Sequence, residues 1–135
     1  MPDTFEWPVR VYYEDTDVGG VVYYANYLRF MERARTEWLR SQGFEQDELI
    51  RNQGVLFAVA AAEIRYRAPA RFNDLLHVTA RISERGRSRM HFEQKIYRPA
   101  DGLHLTDGLI KVACLDAESF RPRAIPEEME RILSA

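Results

Sequence analysis

Three carboxylates lie close together near the start of the chain, at Glu14, Asp15 and Asp17. Two glycines, Gly19 and Gly20, follow them, and a helix is predicted to begin a few residues later. The first turn of a helix leaves backbone N–H groups unpaired, so this segment would hold an acid beside exposed amide donors. Such donors polarise a carbonyl group, which a carboxylate can attack directly or hydrolyse through an activated water molecule. The pattern therefore favours acyl transfer.

Two other interpretations of this segment stay open on spacing alone. Asp-Thr-Asp before Gly-Gly is also ordinary turn chemistry, in which aspartate side chains accept hydrogen bonds from nearby backbone. We expect that role for Asp15. A metal loop built on Glu14, Asp15 and Asp17 is disfavoured, because an EF-hand spreads its ligands over about twelve residues and ends in a bidentate glutamate.

Other catalytic chemistries have no support in the sequence. There is no Gly-x-Ser-x-Gly elbow, no phosphate-binding loop of the Gly-x-x-x-x-Gly-Lys type and no His-Glu-x-x-His motif. His77, His91 and His104 stand singly in strand-like sequence, so we assign them no role and expect no metal site. Cys114 lies in an apolar run, which predicts a small buried hydrophobe and not a nucleophile, and a lone cysteine fits a reducing compartment.

Basic residues are concentrated between positions 81 and 98, where only Glu84 and Glu93 oppose them. One interpretation is a solvated strand face and hairpin tip. The other is a phosphate clamp, because the arginine fork binds phosphate oxygens in a bidentate way. The cluster contains Arg81, Arg85, Arg87, Arg89, Lys95 and Arg98, and Arg121 and Arg123 form a second group.

Length and composition indicate one globular domain, residues 1–135, with 46% hydrophobic and 30% charged residues. The formal net charge of -2 argues against a surface that tracks nucleic acid. The acidic N-terminal segment lacks the basic start and apolar run of a secretory signal. The longest apolar run, at 55–62, falls far short of the roughly 20 residues that cross a bilayer. We therefore expect a cytoplasmic protein.

One long helix is predicted from Asn26 onward, because apolar residues recur at intervals of three and four positions as far as Leu39. Asn26 is a candidate N-cap and Gly43 a candidate stop, which gives a helix of about sixteen residues. A shorter helical piece is expected around residues 46–53, and Pro126 should open a short C-terminal helix.

The remaining sequence alternates polar and apolar residues, which is typical of half-buried antiparallel strands. Short connections between the later strands favour a meander. We therefore expect an α+β fold, in which five or six antiparallel strands curl around the long helix. A second copy is the simplest cover for the sheet edges, so we expect at least a dimer. The predicted strands span residues 7–14, 63–68, 76–82, 90–97 and 103–115.

The segment VRVYYEDTDVGGVVYYANY at 9–27, followed by FMERARTE at 30–37, resembles the 4-hydroxybenzoyl-CoA thioesterase family of hotdog-fold enzymes. Within that family it is most similar to the bacterial acyl-CoA thioesterases associated with the Tol-Pal system. YRAPAR at 66–71 and RPRAIP at 121–126 resemble the family's strand junction and C-terminal segment. The resemblance covers nearly the whole chain.

The resemblance implies a hotdog fold, dimerised through its sheets and often tetrameric, that hydrolyses acyl-CoA without a cofactor. It implies that Asp17 is the catalytic carboxylate and that the backbone N–H of Tyr24 contacts the oxyanion. Arg87 and Arg123 match the positions whose basic side chains bind CoA phosphates at the subunit interface. The acyl donor is CoA or acyl carrier protein. A non-catalytic acyl-CoA-binding module on the same fold is the alternative, and a histidine-dependent dehydratase or isomerase is disfavoured.

Overall fold

The computed structural model describes residues 4–134, apart from the side chain of Ser134. The predicted domain 1–135 is therefore described except at its ends. Residues 1–3, which belong to the segment considered for a secretory signal, and residue 135 lie outside the described residues. No helix within the described range is long and apolar enough to cross a membrane.

The described chain folds into one antiparallel sheet with a long helix against it. The strand order is β1-β3-β4-β5-β2, so β1 and β2 form the two edges. The strands are β1 (Phe5–Arg10), β2 (Val55–Tyr66), β3 (Leu75–Arg85), β4 (Arg89–Arg98) and β5 (Leu103–Asp116). The helices are α1 (Asn26–Ser41), a three-residue α2 (Gln46–Glu48) that continues into a π-turn (Leu49–Gln53), and α3 (Glu127–Ser134).

The apolar stripe of α1 is buried against the inner face of the sheet. Phe30, Met31 and Ala34 have no solvent-exposed surface. Burial of a large apolar side chain contributes roughly 1.5–3 kcal/mol. A Cβ atom at Gly108 would lie 2.7 Å from Met31 Sδ, so this glycine on β5 lets the helix approach the sheet closely. The predicted α+β fold, an antiparallel sheet packed on one long helix, is confirmed.

The long helix has the predicted length of sixteen residues, but its predicted N-cap is wrong. Ala25 occupies the cap position and makes no side-chain cap bond. Asn26 is instead the first helical residue, and its buried Nδ2 donates to the Asp15 carbonyl oxygen at 2.9 Å. The predicted stop is confirmed, since Gly43 adopts a φ of +95° just beyond the helix. The helical piece at 46–53 is also confirmed.

The first predicted strand, 7–14, extends too far. Strand β1 ends at Arg10, and Tyr13–Asp15 forms a 3-10 turn. The cause is local, because a carboxylate oxygen of Asp15 accepts the N–H of Tyr12 at 2.8 Å and draws the chain out of the sheet. Tyr12 and Tyr13 are therefore exposed aromatic residues outside any strand, whereas Val11 is buried.

The later strands agree with the prediction except for β2, which begins at Val55 and not at residue 63. The apolar run 55–62 is thus strand, and four alanines within it conceal the period of two. Strands β3, β4 and β5 form the expected meander. The flanking strands are non-consecutive, because β1 pairs with β3 and β2 pairs with β5.

One buried glutamine joins the helix to the sheet. Gln94 on β4 is fully buried, and its Nε2 donates to the carbonyl oxygens of Met31 (3.0 Å) and Thr79 (3.1 Å). Its Oε1 accepts Nη1 of Arg35 at 3.0 Å. Burial lowers the pKa of Arg35, because the charged form loses hydration. A buried amide is tolerated only when its polar atoms are satisfied, and this one is.

Replacing Gln94 with Met should lower the free energy of unfolding by about 2–4 kcal/mol. Methionine has a similar size but leaves two carbonyl oxygens and the Arg35 guanidinium without this partner. Denaturant unfolding measures the change. Gln53→Met is the matched control, because the Gln53 side chain donates to the surface residue Glu128. This control substitution should lower the free energy of unfolding by less than about 0.5 kcal/mol. A Gln94 variant as stable as the native chain would contradict this role.

Candidate active site

Asp17 occupies the tip of a closed turn ahead of α1. Its Oδ1 accepts the N–H of Gly19 at 2.8 Å, and its own N–H donates to the Val21 carbonyl oxygen at 2.9 Å. Gly20 closes the turn with a φ of +79°, a conformation that favours glycine. The Asp17 side chain is exposed, and Oδ2 has no hydrogen-bond partner among the described residues. One carboxylate oxygen is therefore held while the other faces solvent.

Asp15 has the structural role that turn chemistry predicts. Its side chain is buried and holds the Tyr12 N–H. Its carbonyl oxygen accepts both the N–H of Tyr23 (2.9 Å) and Nδ2 of Asn26 (2.9 Å). These bonds fasten the carboxylate loop to the first turn of α1. The two aspartates of the motif thus have different environments, and only Asp17 is accessible to a substrate.

The backbone N–H of Tyr24 is an available donor at the start of α1. Tyr24 directly precedes the N-cap residue Ala25, and within residues 4–134 its N–H has no hydrogen-bond partner. The positive end of the helix dipole adds to its attraction for an oxyanion. The Tyr24 carbonyl oxygen, by contrast, accepts the hydroxyl of Tyr66 at 2.9 Å. The Tyr24 side chain is exposed, so the peptide group is the feature that the fold presents.

A cluster of tyrosines surrounds this peptide. The ring centroids of Tyr23 and Tyr24 lie 4.9 Å apart, those of Tyr24 and Tyr66 lie 6.3 Å apart, and those of Tyr27 and Tyr66 lie 5.5 Å apart. The neighbouring Tyr24 is the main cause that raises the pKa of Tyr23, and burial is the main cause for Tyr27. The charge of Asp17 raises the pKa of both, so its carboxylate lies within electrostatic range of the cluster.

The sequence did not identify Tyr66 as a member of this site. Tyr66 stands at the end of β2, forty-two residues from Tyr24, and only the packing of β2 beside the start of α1 brings them together. A signal was present, because Tyr66 is the first residue of the 66–71 segment that supports the family resemblance. The resemblance assigned no role to this tyrosine.

Most of the basic cluster is held in ion pairs. Arg81 binds Glu93 at 2.8 Å, Arg89 binds Glu84 at 2.5 Å, and Arg98 binds Asp74 at 2.8 Å. Arg85 pairs with Glu130 of α3. The phosphate-clamp interpretation of the whole cluster is therefore not supported, and a strand face with paired charges describes these four arginines.

Arg87 and Arg123, the predicted CoA-binding residues, differ in their surroundings. The side chain of Arg87 has no partner among the described residues. Arg123 Nη1 donates to the Gly54 carbonyl oxygen at 2.9 Å and pairs with Asp116 at 3.2 Å. Their backbones run side by side, because the Ile125 N–H donates to the Arg87 carbonyl oxygen at 2.9 Å. The fold brings the two arginines to one end of the sheet.

Within one chain, these arginines lie far from Asp17. Strand β3 begins near the Asp17 loop, since Val21 of that loop forms a bridge with Arg71 shortly before β3, and the strand ends just before Arg87. Its 11 residues, at about 3.3 Å each, span roughly 35 Å. The structure thus places the predicted catalytic and phosphate-binding residues at opposite ends of the sheet.

The histidines and the cysteine lie outside this arrangement. His77 contacts Glu6 at 3.1 Å and His104 contacts Asp107 at 2.8 Å, each through a carboxylate on the sheet. No group of three or more metal-ligating side chains occurs in the described part of the chain. Cys114 is buried, and burial raises the pKa of its thiol to about 11. The prediction of a small buried hydrophobe is confirmed, because such a thiol stays protonated at neutral pH.

An apolar groove runs between α1 and β2. Its cavity of about 320 Å³ begins at Leu28, one turn from Tyr24, and its other apolar walls are Val59, Ala62 and Ile110. A second cavity of about 160 Å³ includes Ala58 and lies further along the helix. A larger cavity, of about 650 Å³, has charged walls on other parts of the sheet and is lined by neither Asp17 nor Tyr24. The α1–β2 groove is therefore an apolar space that starts one helical turn from the proposed backbone donor.

Residues 11–133 match the Thioesterase-like superfamily. The chain is 46% identical over 130 residues to the acyl-CoA thioesterase YbgC of Haemophilus influenzae. The aligned region covers 96% of this chain and 94% of that protein. Among solved structures, a probable thioesterase from Bartonella henselae has a TM-score of 0.86 at 36% identity, covering 91% and 99%. Slr0204, a 1,4-dihydroxy-2-naphthoyl-CoA thioesterase from Synechocystis, has a TM-score of 0.90 at 24% identity, covering 97% and 96%, and shows the fold alone.

Proposed function

The chain belongs to the Thioesterase-like superfamily, and we propose that it hydrolyses acyl-CoA thioesters to a free acid and CoA. The observation that carries this function is the exposed carboxylate of Asp17 on a loop fastened to the start of α1, where the Tyr24 N–H is unpaired. The 46% identity to an acyl-CoA thioesterase over nearly the full chain supports the same activity. No cofactor is needed for this chemistry.

Asp17 acts on the thioester in one of two ways. As a nucleophile, its free oxygen attacks the thioester carbon, the C–S bond breaks, and water hydrolyses the mixed anhydride that forms. As a general base, it removes a proton from a water molecule that attacks the same carbon. In both cases the leaving group is a thiolate of ordinary pKa near 8.5, which departs with little acid assistance. One carboxylate is therefore sufficient.

The Tyr24 N–H stabilises the charge that develops on the thioester oxygen. A backbone donor at a helix N-terminus is fixed before the reaction begins, so little reorganisation is needed in the transition state. The donor belongs to the peptide group, and the tyrosine side chain need not donate a proton. Among the described residues the Tyr24 N–H has no hydrogen-bond partner, so it is available for this role.

The dimer is part of the proposal, and β2 is the edge that would form it. The other edge, β1, is short and is protected by Pro8, which cannot donate to a neighbouring strand. Strand β2 has 12 residues, and its stretch 59–62 consists of exposed valine and alanine. A long apolar edge of this kind pairs readily with another strand. Two copies related by a two-fold axis would pair their β2 strands antiparallel.

This pairing brings the separated halves of the site together. Tyr66 ends β2 beside Tyr24, whereas Gly54, which precedes β2, accepts a hydrogen bond from Arg123. In an antiparallel pair, the start of one β2 lies against the end of the other. The arginines of one subunit would then lie near Asp17 of its partner. We assign the CoA phosphates to Arg87 and Arg123 of the partner subunit, and a tetramer of two such dimers is compatible with this assignment.

The acyl group would enter the groove between α1 and β2, which starts one helical turn from Tyr24. Small side chains at Ala58 and Ala62 line the two cavities there and would set the depth of the acyl pocket. Acyl carrier protein is an alternative donor to CoA. The motif at 9–27 supports placing the chain in the 4-hydroxybenzoyl-CoA thioesterase family, beside the Tol-Pal-associated enzymes. A cytoplasmic location belongs to the same proposal, because the buried Cys114 is unpaired.

Replacing Asp17 with Asn should abolish most thiol release from acyl-CoA while the melting temperature stays nearly unchanged, because the side chain is exposed. The assay follows free thiol with a panel of acyl-CoA esters from short aliphatic to aromatic. Glu14→Gln is the matched control, since Glu14 is an exposed carboxylate on the same loop whose side chain accepts no hydrogen bond from the described residues. An active Asp17 variant would contradict the assignment. Binding of CoA esters without turnover by the native protein would favour the non-catalytic module, and acyl carrier protein thioesters would be tested next.

Replacing Arg87 with Ala should raise KM for acyl-CoA about tenfold, because a bidentate contact to phosphate is lost. The free energy of unfolding should stay unchanged, since the Arg87 side chain has no partner among the described residues. Steady-state kinetics measure the change. An acyl-N-acetylcysteamine ester, which lacks the phosphates, serves as the comparison substrate and should be unaffected. An equal loss with both substrates would exclude phosphate recognition.

Co-expressing two impaired variants tests whether the site is shared between subunits. Asp17→Asn and Arg87→Glu, each impaired alone, should regain acyl-CoA turnover when co-expressed, because a heterodimer contains one intact site made from both chains. Light scattering and activity at low acyl-CoA concentration provide the readout. If each chain supplied its own arginine, every site in the heterodimer would be defective, and activity at low acyl-CoA concentration would stay at the level of the separate variants.

A further inference from the structure

The hydroxyl of Tyr66 makes a single specific contact with the candidate site. Tyr66 is the last residue of β2, and its hydroxyl donates to the Tyr24 carbonyl oxygen at 2.9 Å. Its ring meets the Tyr24 ring edge-on, with centroids 6.3 Å apart, and packs at a tilt on Tyr27 at 5.5 Å. The sheet edge therefore holds the residue that carries the proposed oxyanion donor.

The helix itself does not hold the Tyr24 carbonyl group. In a regular α-helix, the N–H of Leu28 would donate to the carbonyl oxygen four residues earlier, which is that of Tyr24. Here the Leu28 N–H donates to the Ala25 carbonyl oxygen at 3.2 Å. Among the described residues, the Tyr66 hydroxyl is therefore the hydrogen-bond partner of the Tyr24 carbonyl oxygen.

The residues on either side of Tyr24 are fixed by other bonds. The Tyr23 N–H donates to the Asp15 carbonyl oxygen at 2.9 Å, and the Asn26 N–H donates to the Tyr23 carbonyl oxygen at 2.8 Å. Tyr24 lies inside this short loop with its carbonyl held and its N–H unpaired. The Tyr24 N–H belongs to the same planar peptide as the Tyr23 carbonyl, which the Asn26 N–H holds, and the Tyr66 hydroxyl holds the peptide that follows. Tyr66 therefore fixes the Tyr24 backbone on its C-terminal side.

We propose that Tyr66 is a positioning residue for the hydrolysis reaction, which holds the Tyr24 backbone so that its N–H points at the thioester oxygen. This inference rests on the proposed function and adds a residue to which no role has been assigned. Tyr66 does not touch the reacting atoms. It acts through the backbone of Tyr24, because a donor displaced by about 1 Å loses much of its effect on a developing charge.

The hydroxyl stays protonated over the working range of the reaction. Burial is the main cause that raises the pKa of Tyr66 above its ordinary value, with the neighbouring Tyr24 as a second cause. The neutral form, which donates the hydrogen bond, therefore persists to a higher pH than for a free tyrosine.

Tyr66→Phe keeps the ring and removes only the hydroxyl. It should lower kcat for acyl-CoA about tenfold to a hundredfold while KM changes less than about twofold, because ground-state binding does not use the positioned donor. Tyr97→Phe is the matched control. Tyr97 is a partly buried tyrosine on β4 whose hydroxyl donates to Glu6 at 2.8 Å, away from the helix N-terminus, and its loss should leave both constants unchanged.

A second readout separates the positioning role from the proposed activity. The backbone amide resonance of Tyr24, assigned by NMR in the native protein and both variants, should shift in Tyr66→Phe and not in Tyr97→Phe. Unchanged kcat in Tyr66→Phe, or a rise in KM alone, would overturn the proposal. If no variant shows turnover, the proposed function fails, and the amide resonance still decides whether Tyr66 positions Tyr24.

Discussion

The apolar stripe of α1 has to leave water, and the inner face of the sheet is the large surface that receives it. Phe30 and Met31 are fully buried there, and the missing side chain at Gly108 sets how closely the helix can approach. This packing orients α1 so that its N-terminus lies beside the end of β2. Everything proposed about catalysis depends on that placement, because it exposes the Tyr24 N–H at one end of the sheet.

The carboxylate motif divides its work between two aspartates separated by one threonine. Asp15 is buried, accepts the Tyr12 N–H and fastens the loop to Asn26 on α1. Asp17 lies beyond that anchor with one oxygen on the Gly19 N–H and the other open to solvent. A buried carboxylate with satisfied hydrogen bonds stabilises the turn, whereas an exposed one is free to react. The motif therefore combines a buried anchor at Asp15 with an exposed carboxylate at Asp17, to which the proposed chemistry is assigned.

The length of the sheet is the reason why the proposed site needs two subunits. A strand of 11 residues, roughly 35 Å long, lies between the Asp17 loop and Arg87. An antiparallel pairing of two β2 edges exchanges their ends and would place the arginines of one subunit beside the acid of the other. In that arrangement Tyr66 would have two roles. It ends the strand that would form the dimer, and its hydroxyl holds the Tyr24 carbonyl group at the start of α1.

The sequence by itself determined the α+β fold, the length and stop of α1 and the burial of Cys114, because these follow from local periodicity and residue type. It also separated a turn-forming Asp15 from a candidate Asp17. It misplaced the cap at Asn26 and the start of β2, since the first depends on a carbonyl eleven residues away and the second on a neighbouring strand. Only the tertiary structure decided that Tyr66 meets Tyr24 and that Arg87 lies far from Asp17 in the same chain. Contacts between residues distant in sequence depend on how whole strands and helices pack, and a single sequence carries no local signal for them.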